Sequence, residues 1–502
     1  MRKTVAGTFL SSILMFAGAA VAMRPATDRW VEARSTHFVV LTDAGEKQAR
    51  RVASQFERMH MVFHALLPGD GDDSSPPIVV VAVRDRKGMQ ALEPVAYLGK
   101  DQVDLSGFFV RAPDKNYILV RLDAEEAHAY ANVYHEYTHY MLRKAGAWLP
   151  LWLNEGLAQF YENTDIDDKT VWLGQANAAE LRLLGRSDLL PIETLLTVDG
   201  TSPYYHDGQK GSEFYAQAWA LTHFLIVSDR VQGTHCMHDY AERLAHGEDA
   251  VSAAHEEFGD LDKLQQGLSD YVMQRKFMYF MMPAALPAED AMPEVRAVSM
   301  AEADAVRADV LIYTNRAWEA QALAEAALRK DPKNALAHEV MGYLRFRKGD
   351  IEGAKTWYRE AMELDGNSCL AHYYYAMMAM RSGARGEDEA IETSLRTSIA
   401  LNEEFAPAYD ALAMFYAARL EKLDEAHRLN VKAMALEDDR LSYRLDCAEV
   451  LLQQRQVAEA LDVLQDAMRL AKTPEDVAVV RSRIARVEQY QEALNNAVGE
   501  GE

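Results

Sequence analysis

The strongest constraint on the fold is an internal repeat in the C-terminal part of the chain. Small side chains recur there at intervals of 34, 37, 35 and 34 residues: Ala327, Ala361, Ser398, Ala433 and Ala467. A second series falls near the start of the second helix of each predicted helix pair: Ala320, Ala354, Ala390, Ala426 and Ala460. Small residues let neighbouring helices approach closely, so that each pair buries its apolar face against the next. The pattern predicts an all-α solenoid over residues 300–495, with an irregular helical bundle as the alternative.

These repeats resemble the tetratricopeptide family, which has a period of about 34 residues. Gly342 and Tyr358 match its small and aromatic positions, and Lys330-Asp331-Pro332 resembles its inter-repeat turn. An insertion near Gly383–Gly386 accounts for the longer interval, and a final helix is expected to begin at Thr473-Pro474-Glu475. The resemblance implies a surface for a protein partner.

The N-terminus has the pattern of an export signal. Arg2 and Lys3 precede an uncharged stretch, Thr4–Met23, which contains the small-residue cleavage pattern Ala20-Val21-Ala22. We expect a signal peptide over residues 1–22, a periplasmic or secreted location, and no membrane span after cleavage. An uncleaved anchor is the alternative, because about twenty apolar residues can span a bilayer.

The charge balance excludes one large class of partners. The chain of 502 residues has 53 basic and 77 acidic side chains, a formal net charge of −24. Nucleic-acid binding depends on a basic surface that neutralises phosphates. We therefore expect no nucleic-acid partner.

Residues 24–125 alternate strand-like and helix-like segments. Phe38–Leu41 and Ile78–Val83 are apolar runs typical of buried strands, and apolar residues from Ala49 to Leu66 recur at helical spacing. Gly107–Val110 and Tyr117–Val120 flank a five-residue loop, as expected of a hairpin. The pattern predicts an α/β module with a small mixed sheet, followed by a mainly helical region over 126–280. Prolines then indicate a linker over 281–299.

One pentapeptide has the pattern of a zinc hydrolase. His135-Glu136-Tyr137-Thr138-His139 matches H-E-x-x-H, which places both imidazoles on one face of a helix. Neutral imidazole nitrogens bind Zn²⁺, and Glu136 flanks the ion, where it can take a proton from the attacking water.

Glu155 is the expected third ligand. Lys144 lies five positions after His139, and Glu155 lies five positions after Pro150, so an antiparallel return brings Glu155 level with His139. Two His, one Glu and an open position form a catalytic zinc set. A role as an ordinary surface residue is the alternative for Glu155.

The segment Trp152-Leu153-Asn154-Glu155-Gly156, placed after H-E-x-x-H, resembles the gluzincin metallopeptidases, and most closely the peptidase-MA-like proteins with tetratricopeptide repeats. The resemblance implies a gluzincin-like catalytic domain over 24–280, with His135, His139 and Glu155 as zinc ligands and Glu136 as the base. It also implies that Tyr215 stabilises the oxyanion, with a core aromatic as the alternative.

The match has departures that favour an endopeptidase. Only fifteen residues separate His139 from Glu155, and the chain lacks a Gly-x-Met-Glu-Asn segment, which aminopeptidases of this kind use to hold a free amino terminus. The sequence therefore predicts an exported zinc metallopeptidase that hydrolyses peptides or proteins. Two alternatives stay open: a repeat scaffold with a vestigial metal site, and a zinc hydrolase of a non-peptide amide.

Four further features are candidates for supporting roles. His128 is either a gating group or a core residue, and Gln159 is a candidate to orient a ligand. Gly107–Val110 is a candidate edge for pairing with an extended peptide, and Pro203–Gly211 is either a lid or an ordinary connection.

Overall fold

The computed structural model describes most of the chain after the export signal pattern. The expected signal peptide, residues 1–22, and His128 lie outside the described residues. Within the described part, no helix combines the length and apolar character needed to cross a bilayer. The described ranges are 30–66, 76–98, 105–124, 130–144, 149–167, 169–186, 188–206, 208–284, 293–383, 386–471 and 473–499.

The described strands form two sheets. Their bounds are β1 Trp30–Arg34, β2 Phe38–Thr42, β3 Ile78–Val83, β4 Gly107–Arg111, β5 Asn116–Arg121, β6 Asp165–Ile166, β7 Thr170–Leu173, β8 Phe280–Pro283 and β9 Glu294–Val298. The larger sheet has the order β4-β5-β3-β2-β1-β9, and the smaller one has the order β6-β7-β8. In the larger sheet β2, β3 and β5 are parallel and the other pairs antiparallel, so the mixed sheet and the β4–β5 hairpin are confirmed.

The stretch 281–299, expected as a linker, contributes to both sheets. Strand β8 pairs with β7, and β9 pairs with β1 along its whole length, from Trp30 opposite Val298 to Arg34 opposite Glu294. The backbone groups of β1 and β9 satisfy each other through this ladder. The last strand before the repeats is therefore built into the N-terminal sheet.

Helices pack around the sheets in the first half of the chain, as predicted for residues 126–280. A short 3₁₀ turn spans Val95–Tyr97. The helix bounds are α1 Glu46–Leu66, α2 Arg86–Gln90, α3 Ala131–Lys144, α4 Leu151–Glu162, α5 Ala178–Leu184, α6 Ile192–Thr197, α7 Pro203–His206, α8 Gly208–Gln232, α9 Cys236–Ala245, α10 Ala250–Phe258 and α11 Leu261–Val272.

The described residues of the C-terminal region form five helix pairs followed by a longer helix. The pairs are α12 Met300–Tyr313 with α13 Ala317–Lys330, α14 Ala335–Arg347 with α15 Ile351–Leu364, α16 Cys369–Ser382 with α17 Asp388–Leu401, α18 Ala406–Ala417 with α19 Leu423–Leu436, and α20 Leu441–Gln453 with α21 Val457–Leu470. Helix α22, Pro474–Gly499, begins where the sequence predicts, and Thr473 caps it through the backbone N–H of Asp476 at 3.1 Å. The predicted solenoid is confirmed.

One position in the repeat register differs from the prediction. Ala320, Ala354, Ala426 and Ala460 are fully buried, but Ala390 is exposed and Ile391 takes the buried position. The interval from Ala354 to Ile391 is 391 − 354 = 37 residues, which equals the longest interval of the other series. The insertion therefore shifts both series equally.

The larger sheet is covered on both faces. Alternate strand residues such as Val40 and Val80 join the core under α1 and α3, whereas Leu41 and Val81 join the core under α12–α14. Period-two alternation places neighbouring side chains on opposite faces. The first repeat thus packs directly on the sheet.

The β4–β5 hairpin inserts into this junction. Lys115 Nζ lies 3.1 Å from a carboxylate oxygen of Asp309 on α12, and the Tyr117 hydroxyl donates to the same carboxylate. Glu339 on α14 is also buried there, and burial raises its pKa to about 7 despite the charge of Lys115. A buried ion pair with additional hydrogen bonds fixes the hairpin against the first helices of two repeats.

Candidate metal centre

The site is built by α3 and α4, which run antiparallel side by side. His139 contacts Asn154, and His135, one turn earlier on α3, contacts Glu162 near the end of α4. On its other side α4 packs closely on α8, where a Cβ built at Gly156 would lie 2.6 Å from the carbonyl oxygen of Ala218. Gly156 thus permits an approach of two helices that fixes the position of Glu155.

Three donor atoms converge between α3 and α4. His135 Nε2 and His139 Nε2 lie 3.1 Å apart, and each lies 3.5 Å from Glu155 Oε2. Ligand atoms around a tetrahedral zinc at about 2.0–2.1 Å lie roughly 3.4 Å from one another. The three side chains that the sequence predicts to meet therefore form a triangle of the size that zinc requires.

The other imidazole nitrogens have partners that set the tautomers. His135 Nδ1 lies 3.1 Å from Glu162 Oε2, and His139 Nδ1 lies 2.5 Å from Asn154 Oδ1. Because both partners accept hydrogen bonds, each Nδ1 carries a proton, and the Nε2 atom of each ring faces the centre of the triangle. Metal-binding histidines have second partners of this kind. The donor set therefore fits a zinc ion.

The electrostatics of the site favour a positive charge at its centre. Burial alone would raise the pKa of Glu155, but hydrogen bonds to His135 and His139 lower it to about 2. Burial alone would lower the pKa of His135, but hydrogen bonds to Glu155 and Glu162 raise it to about 10. The negative charges of Glu155 and Glu162 thus favour a cation among these side chains.

Glu136 stands beside the triangle without a partner of its own. Its side chain is half-buried and makes no hydrogen bond or ion pair with any residue that the structure describes. One position after His135 on a helix, it is rotated by about 100° from that ligand. Its carboxylate is therefore available to a water molecule or a substrate.

Two tyrosines approach the site from the other side of Glu155. The Tyr205 hydroxyl lies 3.5 Å from Glu155 Oε1, and the Tyr205 and Tyr215 rings are 5.9 Å apart. Burial, a hydrogen bond to Tyr205 and the charges of Glu155 and Glu136 all raise the pKa of Tyr215. Tyr215 is thus a neutral hydroxyl donor close to the carboxylates.

Other sequence candidates lie in different surroundings. Gln159 Oε1 is buried and has no hydrogen-bond partner among the described groups, so Asn154 and Glu162 orient the histidines instead. The segment Pro203–Gly211, for which the sequence left open a lid or an ordinary connection, contributes α7 and through it Tyr205. Glu162 carried a sequence signal, because it lies seven residues after Glu155 and hence on the same helix face; Tyr205 carried no comparable signal.

A second group of possible metal ligands lies on α9, and its side chains lack the burial of the α3–α4 site. His238, Asp239 and Glu242 on α9 also bring ligand atoms within 4.8 Å of one another, but all three are exposed. His238 and Glu242 form an exposed ion pair at 3.5 Å, and exposed pairs of this kind contribute little to holding side chains in place. The α3–α4 site is therefore the preorganised one of the two.

Comparison with known proteins identifies one matching stretch. Residues 129–244 match a family described as "Protein of unknown function (DUF1570)". This stretch contains the converging triad, Glu136, Asn154, Glu162, Tyr205 and Tyr215. None of the curated proteins matches the chain.

Several solved structures resemble part of the chain. A MamA protein is 19% identical and covers 34% of this chain and 92% of its own, with a TM-score of 0.30. A thermophilic TPR protein from Thermus thermophilus is 21% identical and covers 38% and 99%, with a TM-score of 0.30. PilF from Pseudomonas aeruginosa is 19% identical and covers 39% and 91%, with a TM-score of 0.29. The repeat architecture rests on the helix pairs described above rather than on these likenesses.

Proposed function

We propose that this protein is a zinc-dependent hydrolase that cleaves peptide bonds within peptides or proteins. The observation that carries the proposal is the triangle of His135 Nε2, His139 Nε2 and Glu155 Oε2, with sides of 3.1, 3.5 and 3.5 Å. Three ligands leave the fourth position of a tetrahedral zinc open, as catalytic sites require. His135, His139 and Glu155 would hold the ion.

Side chains of the protein itself would transfer the proton and stabilise the developing negative charge. When bound, zinc would act as a Lewis acid and would lower the pKa of a water molecule to about 7. Glu136 accepts the proton of the attacking water and passes it to the leaving amine. The hydroxyl of Tyr215 donates a hydrogen bond to the oxygen that becomes negative, and the nearby carboxylates keep that hydroxyl protonated.

The geometry favours a peptide over other amides. Strand β4 is at the edge of the sheet, paired only with β5 among the described strands, and it packs beside α3. An extended peptide can add to an exposed strand edge through main-chain hydrogen bonds. The edge lies next to the helix that carries Glu136, so a paired peptide passes the site.

The repeats are the proposed surface for a protein partner or a protein substrate. Their first two pairs already hold a polypeptide segment, since Asp309 on α12 binds Lys115 of the β4–β5 hairpin at 3.1 Å. We further propose, from the export pattern over residues 1–22, that the protein acts in the periplasm or outside the cell.

The test compares wild-type protein with Glu136→Gln. Wild-type protein should contain about one zinc per chain by elemental analysis and should cleave members of a quenched fluorescent peptide library. Glu136→Gln should keep the zinc and lose cleavage by a factor of about 10² to 10⁴, the usual contribution of a general base. His139→Gln is the matched ligand variant and should lose the zinc.

Three results would contradict or redirect the proposal. Folded protein that binds no zinc would end it. Zinc without cleavage of any peptide would favour the non-catalytic repeat scaffold. Cleavage of cell-wall fragments but not peptides would favour a non-peptide amide.

A further inference from the structure

Two arginines lie at the same end of the contact between β4 and α3. A Cβ built at Gly107 would lie 2.8 Å from Val133 Cγ2, and the Phe109 and Tyr140 rings are 5.9 Å apart, so strand and helix run in the same direction. Arg111 follows Phe109 at the two-residue period of the strand and faces α3. Arg143 lies one turn beyond Tyr140 on the helix.

Neither arginine is neutralised by an ion pair. Both side chains are exposed, and no described residue makes a salt bridge or hydrogen bond with either of them. Burial by the surrounding protein and the charge of Arg111 together lower the pKa of Arg143 to about 10, while Glu136 and Asp439 oppose the effect. Two cations held close together in a protein of net charge −24 form a local site for an anion.

The remaining neighbours place this site between Glu136 and the repeats. Asp439 belongs to the connection between α19 and α20, so the repeats reach the end of α3 where Arg143 lies. Glu136 lies on the side of the candidate metal centre, and its charge acts on both arginines. An anion that binds both guanidinium groups therefore lies between the reacting groups and the repeats.

The helix sets the spacing along its axis between Glu136 and Arg143. Arg143 follows Glu136 by seven residues on the same helix face, about 10.5 Å along the axis. An extended peptide covers that distance in about three residues. Guanidinium groups bind carboxylates through paired, charge-assisted hydrogen bonds.

We propose that Arg111 and Arg143 form a carboxylate subsite that selects substrates with a negative group about three residues from the cleaved bond. The inference rests on the proposed peptidase function. An acidic side chain and a free C-terminal carboxylate share this chemistry, and the experiment separates them.

The experiment measures kcat/KM on matched fluorogenic peptides. One set has both termini blocked and carries either Glu or Gln at each position from four before to four after the cleaved bond. A second set carries Gln throughout and has either a free or an amidated C-terminus. We expect a preference of about tenfold to a hundredfold for one carboxylate, at about the third position, since hydrogen bonds to charged groups have this strength.

Variants assign the preference to the two arginines. Arg111→Gln with Arg143→Gln should reduce the Glu-to-Gln ratio of kcat/KM to about one, and Arg111→Glu with Arg143→Glu should reduce it below one. Arg469→Gln, on an exposed side chain of the last repeat pair, is the matched control and should keep the wild-type ratio. Thermal melts check that each variant is folded.

A binding measurement keeps the two proposals separate. Fluorescence anisotropy with Glu136→Gln protein should show tighter binding of the Glu peptide than of the Gln peptide, whether or not wild-type protein cleaves either one. Equal cleavage and equal binding of the Glu and Gln peptides would overturn the subsite. A binding preference without cleavage by the wild type would instead overturn the peptidase proposal alone.

Discussion

Gly156→Ala is the substitution that most directly tests how the fold positions the candidate ligands. A Cβ at this position would lie 2.1 Å from Thr222 Oγ1 and 2.6 Å from the Ala218 carbonyl oxygen, both on α8. Non-bonded heavy atoms prefer separations of about 3.5–4.0 Å. Because one of the two contacts is with backbone, side-chain rotation cannot relieve it, and α4 has to move by about 1 Å.

The energetic cost follows from two opposing effects. Overpacking a core typically destabilises by about 1–3 kcal/mol, and so severe a clash belongs at the upper end. Replacing a helical Gly by Ala recovers about 0.5–1 kcal/mol of backbone entropy. We expect a net loss of about 2 kcal/mol in the free energy of unfolding.

The displacement also reaches the metal site, because Glu155 precedes Gly156 on α4. Zinc sites tolerate ligand distances within about 0.2 Å of the ideal, so a movement of about 1 Å should weaken zinc binding at least tenfold. Stability is measured by urea unfolding in the presence of a chelator, and zinc affinity by competition with a chromophoric chelator.

Gly267→Ala on α11 is the matched control. Its Cβ would lie 3.4 Å from Phe224 Cζ, an ordinary contact, so this variant should be slightly more stable than wild type and bind zinc equally well. If Gly156→Ala unfolds at the wild-type urea concentration and keeps full zinc affinity, then the close approach of α4 and α8 does not position Glu155.

Three other predictions follow from neighbouring contacts. Glu162→Gln and Asn154→Ala should each weaken zinc binding about 10- to 100-fold in the same competition assay, because the first removes the negative charge of the His135 Nδ1 partner and the second removes the acceptor of His139 Nδ1. Burial and the charge of Glu162 raise the pKa of Glu180 to about 8, so the folded state keeps a proton that the unfolded chain releases above its ordinary value of 4.5. The contribution of Glu180 to the free energy of unfolding therefore falls as pH rises from 4.5 through 8. Urea unfolding should show Glu180→Gln to be more stable than wild type at pH 9 but not at pH 4. Lys115→Met leaves the buried Asp309 carboxylate without its cation and should destabilise by about 3 kcal/mol in thermal unfolding, whereas equal stability would show that the pair contributes little.

The sequence predicted those features that depend on local periodicity. The interval of 34 residues predicted the helix pairs, because each pair repeats the same packing requirement. The spacing within H-E-x-x-H and the return to Glu155 predicted the converging side chains, because helix geometry converts spacing into faces. The gluzincin relationship, the zinc ion and the catalytic roles remain predictions.

Features that depend on distant partners could not be predicted in this way. Glu294–Val298 is short and follows several prolines, and its strand character depends on pairing with Trp30–Arg34, which is far away in the chain. Tyr205 reaches Glu155 only because α7 folds back over α4. The exposure of Ala390 follows from the insertion before it, which shifts the buried position by one residue to Ile391.

The two-sided sheet has a consequence for any attempt to divide the molecule. The strands present Leu41, Val81 and Leu119 to a core that α12–α14 share with Met89 of α2, and β9 completes the sheet immediately before the first repeat. A fragment that stops at residue 299 would expose a large apolar surface to water and should aggregate. The two halves are thus a single folding unit, and swapping one set of repeats for another would require redesigning the sheet as well.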